Sequence, residues 1–383
     1  MMAEIPNREL ENSDIEQSAL PVLEPEAPDI GLNVDFAKGY LETKAGGGCY
    51  LDTSESFDLA EAKIAPLKKF LPHPKDVVSV GVGTGEELHA IAKIYKDELA
   101  VIHGLDLSSK SLLIAKERLL KYGLNPDMIE GSAINLPFAN HNVDGIIESS
   151  ILHEIYSYVP DGKSAWKKAI SEVALKLSEG GIYLLRDFSG PANKGDVQLS
   201  LTSDIAKNFY KYFKKYFRNF TLCDPEYVKN IIDKRAQNNS DLPEYDPQSH
   251  VVTLPFGMAA EVVLHFRNFY DNYTKGITNL NDADWKEINE SYLPPNPSLS
   301  GTHTMTKDEY METVLVEANN ALENTGYKIV CVQNESSVRP EMVKFLADHF
   351  VLNIQDSGES SRDLLSEVTQ KMELVFKKEK RNA

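Results

Sequence analysis

Residues 77–85 read VVSVGVGTG, and two glutamates, Glu86 and Glu87, follow directly. The first half of this stretch is rich in β-branched residues and is typical of a short buried strand. Three glycines then interrupt the strand pattern at Gly81, Gly83 and Gly85. After them, Glu86–Tyr95 (EELHAIAKIY) places its apolar residues at helical spacing. A strand, a glycine turn and a helix in this order predict a cradle in which the backbone comes close to a small ligand.

The charges beside the glycines indicate which ligand fits. The dinucleotide fingerprint G-x-G-x-x-G needs a small residue at position 86, where this chain has glutamate. Two carboxylates suit the positive end of a helix, but they would repel a pyrophosphate placed there. A phosphate-binding loop would also need a Lys-Ser/Thr pair after the glycines, and none is present. The pattern therefore predicts a nucleoside ligand without phosphates.

The spacing G-x-G-x-G, followed by an acid at the end of the next strand, resembles motif I of class I S-adenosylmethionine (SAM)-dependent methyltransferases. That acid is Asp106, within HGLDLS. Three later segments are similar to the third, fourth and fifth strands of the family: IEGSAINLPF (129–138), VDGIIESSILH (143–153) and EGGIYLLRDF (179–188). The resemblance is strongest to the small-molecule branch, with a type 11/25-like domain. It covers about residues 76–190 and resumes near 303–337.

This resemblance implies an α/β fold of the Rossmann-like methyltransferase type. We expect a mixed seven-stranded sheet whose last strand is antiparallel, with a largely helical insertion. It also implies S-adenosyl-L-methionine as the cofactor, with the Asp106 carboxylate accepting hydrogen bonds from both ribose hydroxyls. The residues expected to contact the cofactor are Gly81, Gly83, Gly85, Asp106, Leu107, Ser132, Ala133 and Ser149.

Two positions depart from the family pattern. The family usually has an acid two residues before the first motif glycine, where this chain has Ser79. It usually has aspartate after the third strand, facing the adenine amino group, where this chain has Ser132. A serine still accepts a hydrogen bond, but it carries no charge. These two serines leave open weaker SAM binding or a role without methyl transfer.

The chain divides into six predicted parts. An acidic tail over 1–35 is expected to be disordered, and residues 36–75 form an N-terminal helical lid. Residues 76–188 form the SAM-binding core, in which strands and helices alternate. Residues 189–301 form a helical insertion that caps the substrate, and 302–356 complete the core. Here residues 350–354 (FVLNI) are the predicted final antiparallel strand, and 357–383 are a C-terminal tail whose basic end is solvated.

Length, net charge and cysteine content limit the classes of protein to which this chain can belong. The chain has 383 residues and a net charge of −18, which disfavours sequence-independent binding of nucleic acid by the whole surface. Its three cysteines are scattered, which fits a reducing compartment rather than a disulfide framework. The acidic start lacks the apolar core of a signal peptide, and no run of residues is apolar enough to span a bilayer. We expect a cytoplasmic protein.

Two residues are candidates for acid–base chemistry, because active sites of open α/β sheets lie at the carboxyl ends of the strands. His153 follows the predicted fourth strand and titrates near neutral pH. Asp187 lies near the end of the fifth strand, beside Arg186. A packed histidine and a structural ion pair are the alternatives for these two positions. The nine histidines are dispersed, and no spacing typical of metal ligands occurs.

Residues 203–220 (SDIAKNFYKYFKKYFRNF) form a predicted amphipathic helix with a basic face. Such a face suits an anionic substrate, RNA or a lipid surface, although a cap helix with solvated lysines is the favoured interpretation. The predicted function is SAM-dependent methylation of a small or medium-sized acceptor. Two alternatives remain open: a SAM-binding partner subunit without catalysis, and an RNA methyltransferase that uses this basic helix.

Overall fold

The computed structural model describes residues 55–95, 101–152, 155, 162–189, 195–216, 242–274, 306–355 and 357–381. The predicted tail over 1–35 and residues 36–54 of the predicted lid lie outside these ranges, as does His153. No helix within them is long and apolar enough to cross a membrane.

The first half of the described chain alternates strands and helices. In order it contains α1 (Glu55–Phe70), β1 (Asp76–Val80), α2 (Glu86–Tyr95), β2 (Val101–Asp106), α3 (Ser109–Leu120), β3 (Asp127–Glu130), β4 (Val143–Ser149), α4 (Gly162–Lys176) and β5 (Leu177–Phe188). The second half contains β6 (Asp196–Leu201), α5 (Asp204–Tyr216), β7 (Val251–Pro255), α6 (Phe256–Thr274), α7 (Lys307–Ala321), β8 (Tyr327–Ser337), α8 (Pro340–Ala347), β9 (Phe350–Asn353), α9 (Ser361–Thr369) and β10 (Lys371–Lys380).

Seven strands form the main sheet in the order β3-β2-β1-β4-β5-β10-β8. Strands β1 to β5 pair in parallel, whereas β10 is antiparallel to both of its neighbours, β5 and β8. The predicted mixed seven-stranded sheet with an antiparallel last strand is confirmed.

Helices cover both faces of this sheet, which explains the continuous apolar runs of its central strands. Val78 and Val80 face a core that includes Trp166 of α4 and Val314 of α7. Val77 faces the opposite core, together with apolar residues of α1, α2 and α3. Consecutive valines in β1 are therefore buried on opposite sides, as the alternation of side chains in a strand requires.

The expectations for the C-terminal segment are wrong in two respects. Phe350–Asn353 is not the final strand of the main sheet, because it pairs with β6 in a separate sheet. The predicted tail contains the antiparallel strand β10 instead, which lies between β5 and β8. Its basic end is buried rather than solvated at Lys378, which is fully buried. The Lys378 ammonium donates to the carbonyl oxygens of Ala174 (2.7 Å) and Leu177 (2.6 Å) at the end of α4, and these bonds compensate for its burial.

A second core lies around a three-stranded antiparallel sheet in the order β7-β6-β9. We call this part the second-sheet module; it comprises β6, α5, β7, α6, α8, β9 and α9. The apolar faces of its helices are covered within the module, since Phe209 of α5 packs edge-on against Phe266 of α6 at 5.3 Å, and Phe266 against Phe350 of β9 at 4.9 Å. The predicted insertion thus contributes two strands besides its helices, and residues 340–369 complete it.

The module is attached to the main sheet at one edge. Lys371, the first residue of β10, pairs with Phe188, the last residue of β5, and with Ser337, the last residue of β8. Along the chain, the module begins after β5, and its remaining elements lie between β8 and β10. The ends of β5 and β8 and the start of β10 lie together at the carboxyl ends of the parallel strands. Ligands bind at this edge in open α/β sheets.

Candidate functional site

The glycine turn after β1 has a backbone conformation that favours glycine. Gly81, Gly83 and Gly85 have φ values of +72°, +52° and +89°. A Cβ atom at Gly81 would lie 2.5 Å from Cδ1 of Ile151, and one at Gly85 would lie 3.3 Å from the Cα of Ala115 in α3. The turn is thus packed closely between the segment after β4 and α3. A hydrogen bond to β2 fixes the position of the turn, since the Gly81 N–H donates to the Leu105 carbonyl at 2.7 Å.

The carboxylate of Asp106, the last residue of β2, is hydrogen-bonded to the backbone of this turn. Its Oδ2 accepts from the Gly83 N–H at 2.9 Å, and its Oδ1 accepts from the Ser108 N–H at 2.9 Å. Only 8% of the residue is exposed. A carboxylate oxygen has two lone pairs, so a carboxylate can accept from ligand hydroxyls as well as from backbone N–H groups. The arrangement fits the ribose of a nucleoside.

Three other predicted contact residues lie beside Asp106. The Gly131 N–H donates to the Asp106 carbonyl at 3.0 Å, which brings Ser132 and Ala133 next to the end of β2. Ala133 is buried, and Ser132 forms an isolated bridge with Asn135. Leu107 is partly buried against the core.

The two glutamates at the start of α2 have different surroundings. Glu86 lies 3.6 Å from the guanidinium of Arg118, which also donates to the Thr84 carbonyl at 3.0 Å. Glu87 accepts a hydrogen bond from the Ser79 hydroxyl at 3.2 Å. Glu87 also interacts with the hydroxyl of Ser149, the last residue of β4.

Burial raises the pKa of the Glu87 carboxyl above its ordinary value. The hydrogen bonds with Ser149 and Ser79 and the charges of Lys63 and Arg186 act in the opposite direction. Ser79, Ser149 and Glu87 therefore form one polar group at the carboxyl ends of β1 and β4. Sequence reasoning missed this contact, although the serine at position 79 indicated that a charge is displaced from its usual place.

A buried acid cluster lies on the other face of β4 and β5. The Tyr183 hydroxyl donates to Glu148 Oε2 at 2.6 Å, and Glu148 is fully buried. Burial raises the pKa of Glu148 to about 7; the hydrogen bond from Tyr183 lowers it, and the charge of Asp187 raises it further. Asp187, a predicted catalytic residue, is fully buried in this cluster. Its neighbour Arg186 points to the opposite face, where its Nε donates to Glu373 at 3.0 Å.

Sequence reasoning also missed Lys371, because it assigned residues 357–383 to a C-terminal tail outside the sheet, with 364–376 as an amphipathic stretch. Lys371 lies beside the ends of β4 and β5, and its Nζ donates to the Ser150 hydroxyl at 2.8 Å. Its place follows from the pairing of β10, which connects residues far apart in the sequence. Among the described residues, no three His, Cys, Asp or Glu side chains are grouped in a way that would hold a metal ion.

Comparison with known families gives one match. Residues 77–181 match the model of a family described as a methyltransferase domain. This range contains the glycine turn, Asp106, and β1 to β4. No curated protein matches the sequence significantly.

The solved structures that the comparison matches include several methyltransferases. A SAM-dependent methyltransferase from Methanosarcina mazei is 11% identical, with 82% of this chain and 98% of that chain covered and a TM-score of 0.39. A SAM-dependent methyltransferase from Aquifex aeolicus is 21% identical, with 37% and 74% covered and a TM-score of 0.29. A chain from a Haloferax volcanii complex of the Trm112 methyltransferase activator and a putative methyltransferase is 11% identical, with 90% and 97% covered and a TM-score of 0.38. At these identities and TM-scores, the similarities indicate nothing about substrate or partner.

Proposed function

We propose, from the premise that residues 77–181 form a methyltransferase domain of the class I SAM-dependent family, that this protein methylates a small or medium-sized acceptor. The observation that carries the proposal is the Asp106 carboxylate, held at the end of β2 by the N–H groups of Gly83 and Ser108. It is held in place and nearly buried, and a carboxylate is the group that accepts from two vicinal hydroxyls.

The residues around the glycine turn suit the parts of SAM. Asp106 would accept from the ribose hydroxyls, Leu107, Ser132 and Ala133 would border the adenine, and the turn would leave room for the methionine part. SAM would supply an electrophilic methyl group when bound. The task of the protein is then to orient the two reactants and to exclude water, because methyl transfer depends mainly on positioning.

The second-sheet module supports a role in acceptor binding. Among the described residues, its junctions with β5, β8 and β10 lie at the carboxyl edge of the main sheet, where Lys371 pairs with Phe188 and Ser337. We propose that it covers the acceptor at this edge. Asp187 remains a proposed acid–base residue, as does His153.

The two alternative functions have weaker support. Part of the basic face of α5 is neutralised within the chain, since Lys207 pairs with Asp204 at 3.0 Å and Lys214 with Glu244 at 2.6 Å. Lys211 on the same helix is exposed. A small-molecule acceptor therefore remains the preferred proposal over RNA. The neutral residue at position 79, which favoured a non-catalytic partner, lies within hydrogen-bond distance of a carboxylate from Glu87.

Titration calorimetry with SAM and S-adenosylhomocysteine tests the proposal. Asp106→Ala removes a charged acceptor, which costs about 1.5–3 kcal/mol, so the dissociation constants are expected to rise about 10- to 100-fold. Asp196→Ala, at the exposed start of β6, is the matched control and should leave both constants unchanged. Unchanged binding by Asp106→Ala with an intact fold would contradict the assignment of the ribose site.

A further inference from the structure

Lys371 is the cationic side chain that β10 contributes to the carboxyl edge. It is partly buried, and it pairs in register with the last residues of β5 and β8. Its Nζ lies 2.8 Å from the hydroxyl oxygen of Ser150, the residue that follows β4. The amine therefore lies at the end of the strand that borders the glycine turn.

Ser150 has an unusual backbone conformation at this point. Its φ is +58°, which makes it one of three non-glycine residues with a positive φ among those described. Its N–H donates to the Arg186 carbonyl at 2.7 Å, and its neighbour Ile151 packs against Gly81. Non-glycine residues in this region cost about 1–3 kcal/mol and cluster at functional sites. The strained residue thus places a hydroxyl against the Lys371 amine, close to the proposed SAM site.

The charges around Lys371 come from several elements. Asp187 of β5 favours the ammonium form, whereas Lys63 of α1, Arg186 of β5 and Arg339 before α8 disfavour it. Burial is the largest effect and lowers the pKa of Lys371 to about 7. Lys371 therefore loses its proton more readily than an ordinary lysine, and its neutral form has a lone pair that can accept a proton.

We propose that Lys371 is a catalytic residue: the general base that removes the proton from a phenol-type hydroxyl of the methyl acceptor. This proposal rests on the proposed methyltransferase function, and it deepens that function by naming the acceptor group. In the step, the acceptor O–H bond breaks, its electron pair stays on the oxygen, and the proton binds to the lone pair of Nζ. The oxygen then forms its bond to the methyl carbon, while the pair of the broken C–S bond stays on the sulfur.

The acceptor class follows from what a lysine base is able to do. A carboxylate or a neutral amine has a free lone pair at neutral pH and needs no base before methyl transfer. A phenol-type hydroxyl has a pKa of roughly 10, as in tyrosine, and lies within reach of a base that titrates near neutrality. Aliphatic hydroxyls are much weaker acids. A lysine base at the carboxyl edge therefore suits a phenol-type acceptor.

The first test measures Lys371 itself, without acceptor or SAM. The full-length protein is labelled with trace acetic anhydride from pH 5 to pH 10, and each lysine is quantified by mass spectrometry. Lys344, exposed on α8, is the internal reference. Half-maximal labelling of Lys371 is expected near pH 7, well below that of Lys344. Labelling in parallel with Lys344, or none at any pH, overturns the proposal.

The second test uses activity with defined probes. Phenol, catechol and 1-naphthol are offered with SAM, beside benzoate and benzylamine, and S-adenosylhomocysteine release is measured. At least one phenol should be methylated, with a loss of about 100-fold in both Lys371→Met and Lys371→Arg. Arginine keeps the positive charge but cannot take a proton, so an active Lys371→Arg variant would contradict a base. Failure of all three phenols overturns the acceptor class.

Two controls separate this inference from the proposed function. Thermal melting shows whether each variant folds, and calorimetry shows whether it binds SAM. If the unmodified protein binds no SAM, the proposed function itself fails. If it binds SAM while Lys371 labels like Lys344, the function stands and only the role of Lys371 is wrong.

Discussion

The hydroxyl of Ser79 donates to Glu87 Oε2 across 3.2 Å. Ser79 is fully buried in β1, and Glu87 lies in the first turn of α2, on the far side of the glycine turn. A carboxylate therefore lies beside position 79 although the residue there is neutral. The pair connects the two halves of the cradle that the glycines join.

This contact predicts a specific incompatibility. Ser79→Asp would place a second carboxylate beside Glu87, and two buried like charges cannot both ionise without cost. We expect the free energy of unfolding to fall by about 1–3 kcal/mol at pH 7 and less at pH 5. Adding Glu87→Gln should restore most of the loss. Urea denaturation of the single and double variants measures this, and additive effects of the two substitutions would show that the side chains do not interact.

Glu148 predicts a pH dependence of stability. Its pKa is raised to about 7 in the folded protein from 4.5, so the folded state holds the proton more tightly. The resulting stabilisation is fully present below about pH 4.5 and is lost as the pH rises to about 7. Glu148→Gln mimics the protonated form and should become more stable than the unmodified protein across this window, by up to about 3 kcal/mol.

Denaturation series from pH 4 to pH 8 test this expectation. The stability difference should open between about pH 4.5 and 7 and stay constant above that range. A difference that is the same at every pH would mean that Glu148 does not change its protonation there. Glu341→Gln is the control, because Glu341 is exposed and no described contact holds it. Glu172→Gln is less suitable, because the Glu172 carboxylate accepts from the Leu136 N–H.

Lys378 predicts a large effect at a position that looks like surface in the sequence. Its Nζ donates to Ala174 O, Leu177 O and, at 2.7 Å, to His141 Nδ1. Lys378→Met would leave buried carbonyls without a donor, so we expect the free energy of unfolding to fall by about 2–3 kcal/mol. Lys377→Met, whose side chain is 40% exposed, should change it by less than about 0.5 kcal/mol. Similar losses for both variants would mean that the burial of Lys378 is unimportant.

The order of β1 to β5 was predictable because each strand carries its own local signal. Valine runs, glycine turns and helix caps lie within a few residues of each other, as at Ser108, whose side chain accepts from the Ser111 N–H at the start of α3. Strand β10 lacked such a signal, since its charged residues resemble a solvated tail. Its assignment depends on pairing with β5 and β8, which are distant in the sequence. The short apolar run Phe350–Asn353 fits either sheet equally well by pattern alone.

The residues of the candidate site likewise fall into two groups, those that a local motif predicts and those that depend on packing. The positions of Gly81, Gly83, Gly85 and Asp106 follow from a local motif, and the structure brings them together. Lys371 and the Ser79–Glu87 contact depend on how strands and helices pack, which periodicity does not specify. Long-range pairing, rather than local propensity, therefore determined what sequence reasoning missed.

The most direct measurement of the central claim is calorimetric titration of the full-length protein with SAM and, separately, with NAD. The glycine spacing, Glu86 and Glu87 beside it, and the Asp106 carboxylate held against the turn favour a nucleoside without a pyrophosphate. We predict saturable binding of one SAM per chain and no measurable heat with NAD. Binding of NAD in preference to SAM would contradict the account.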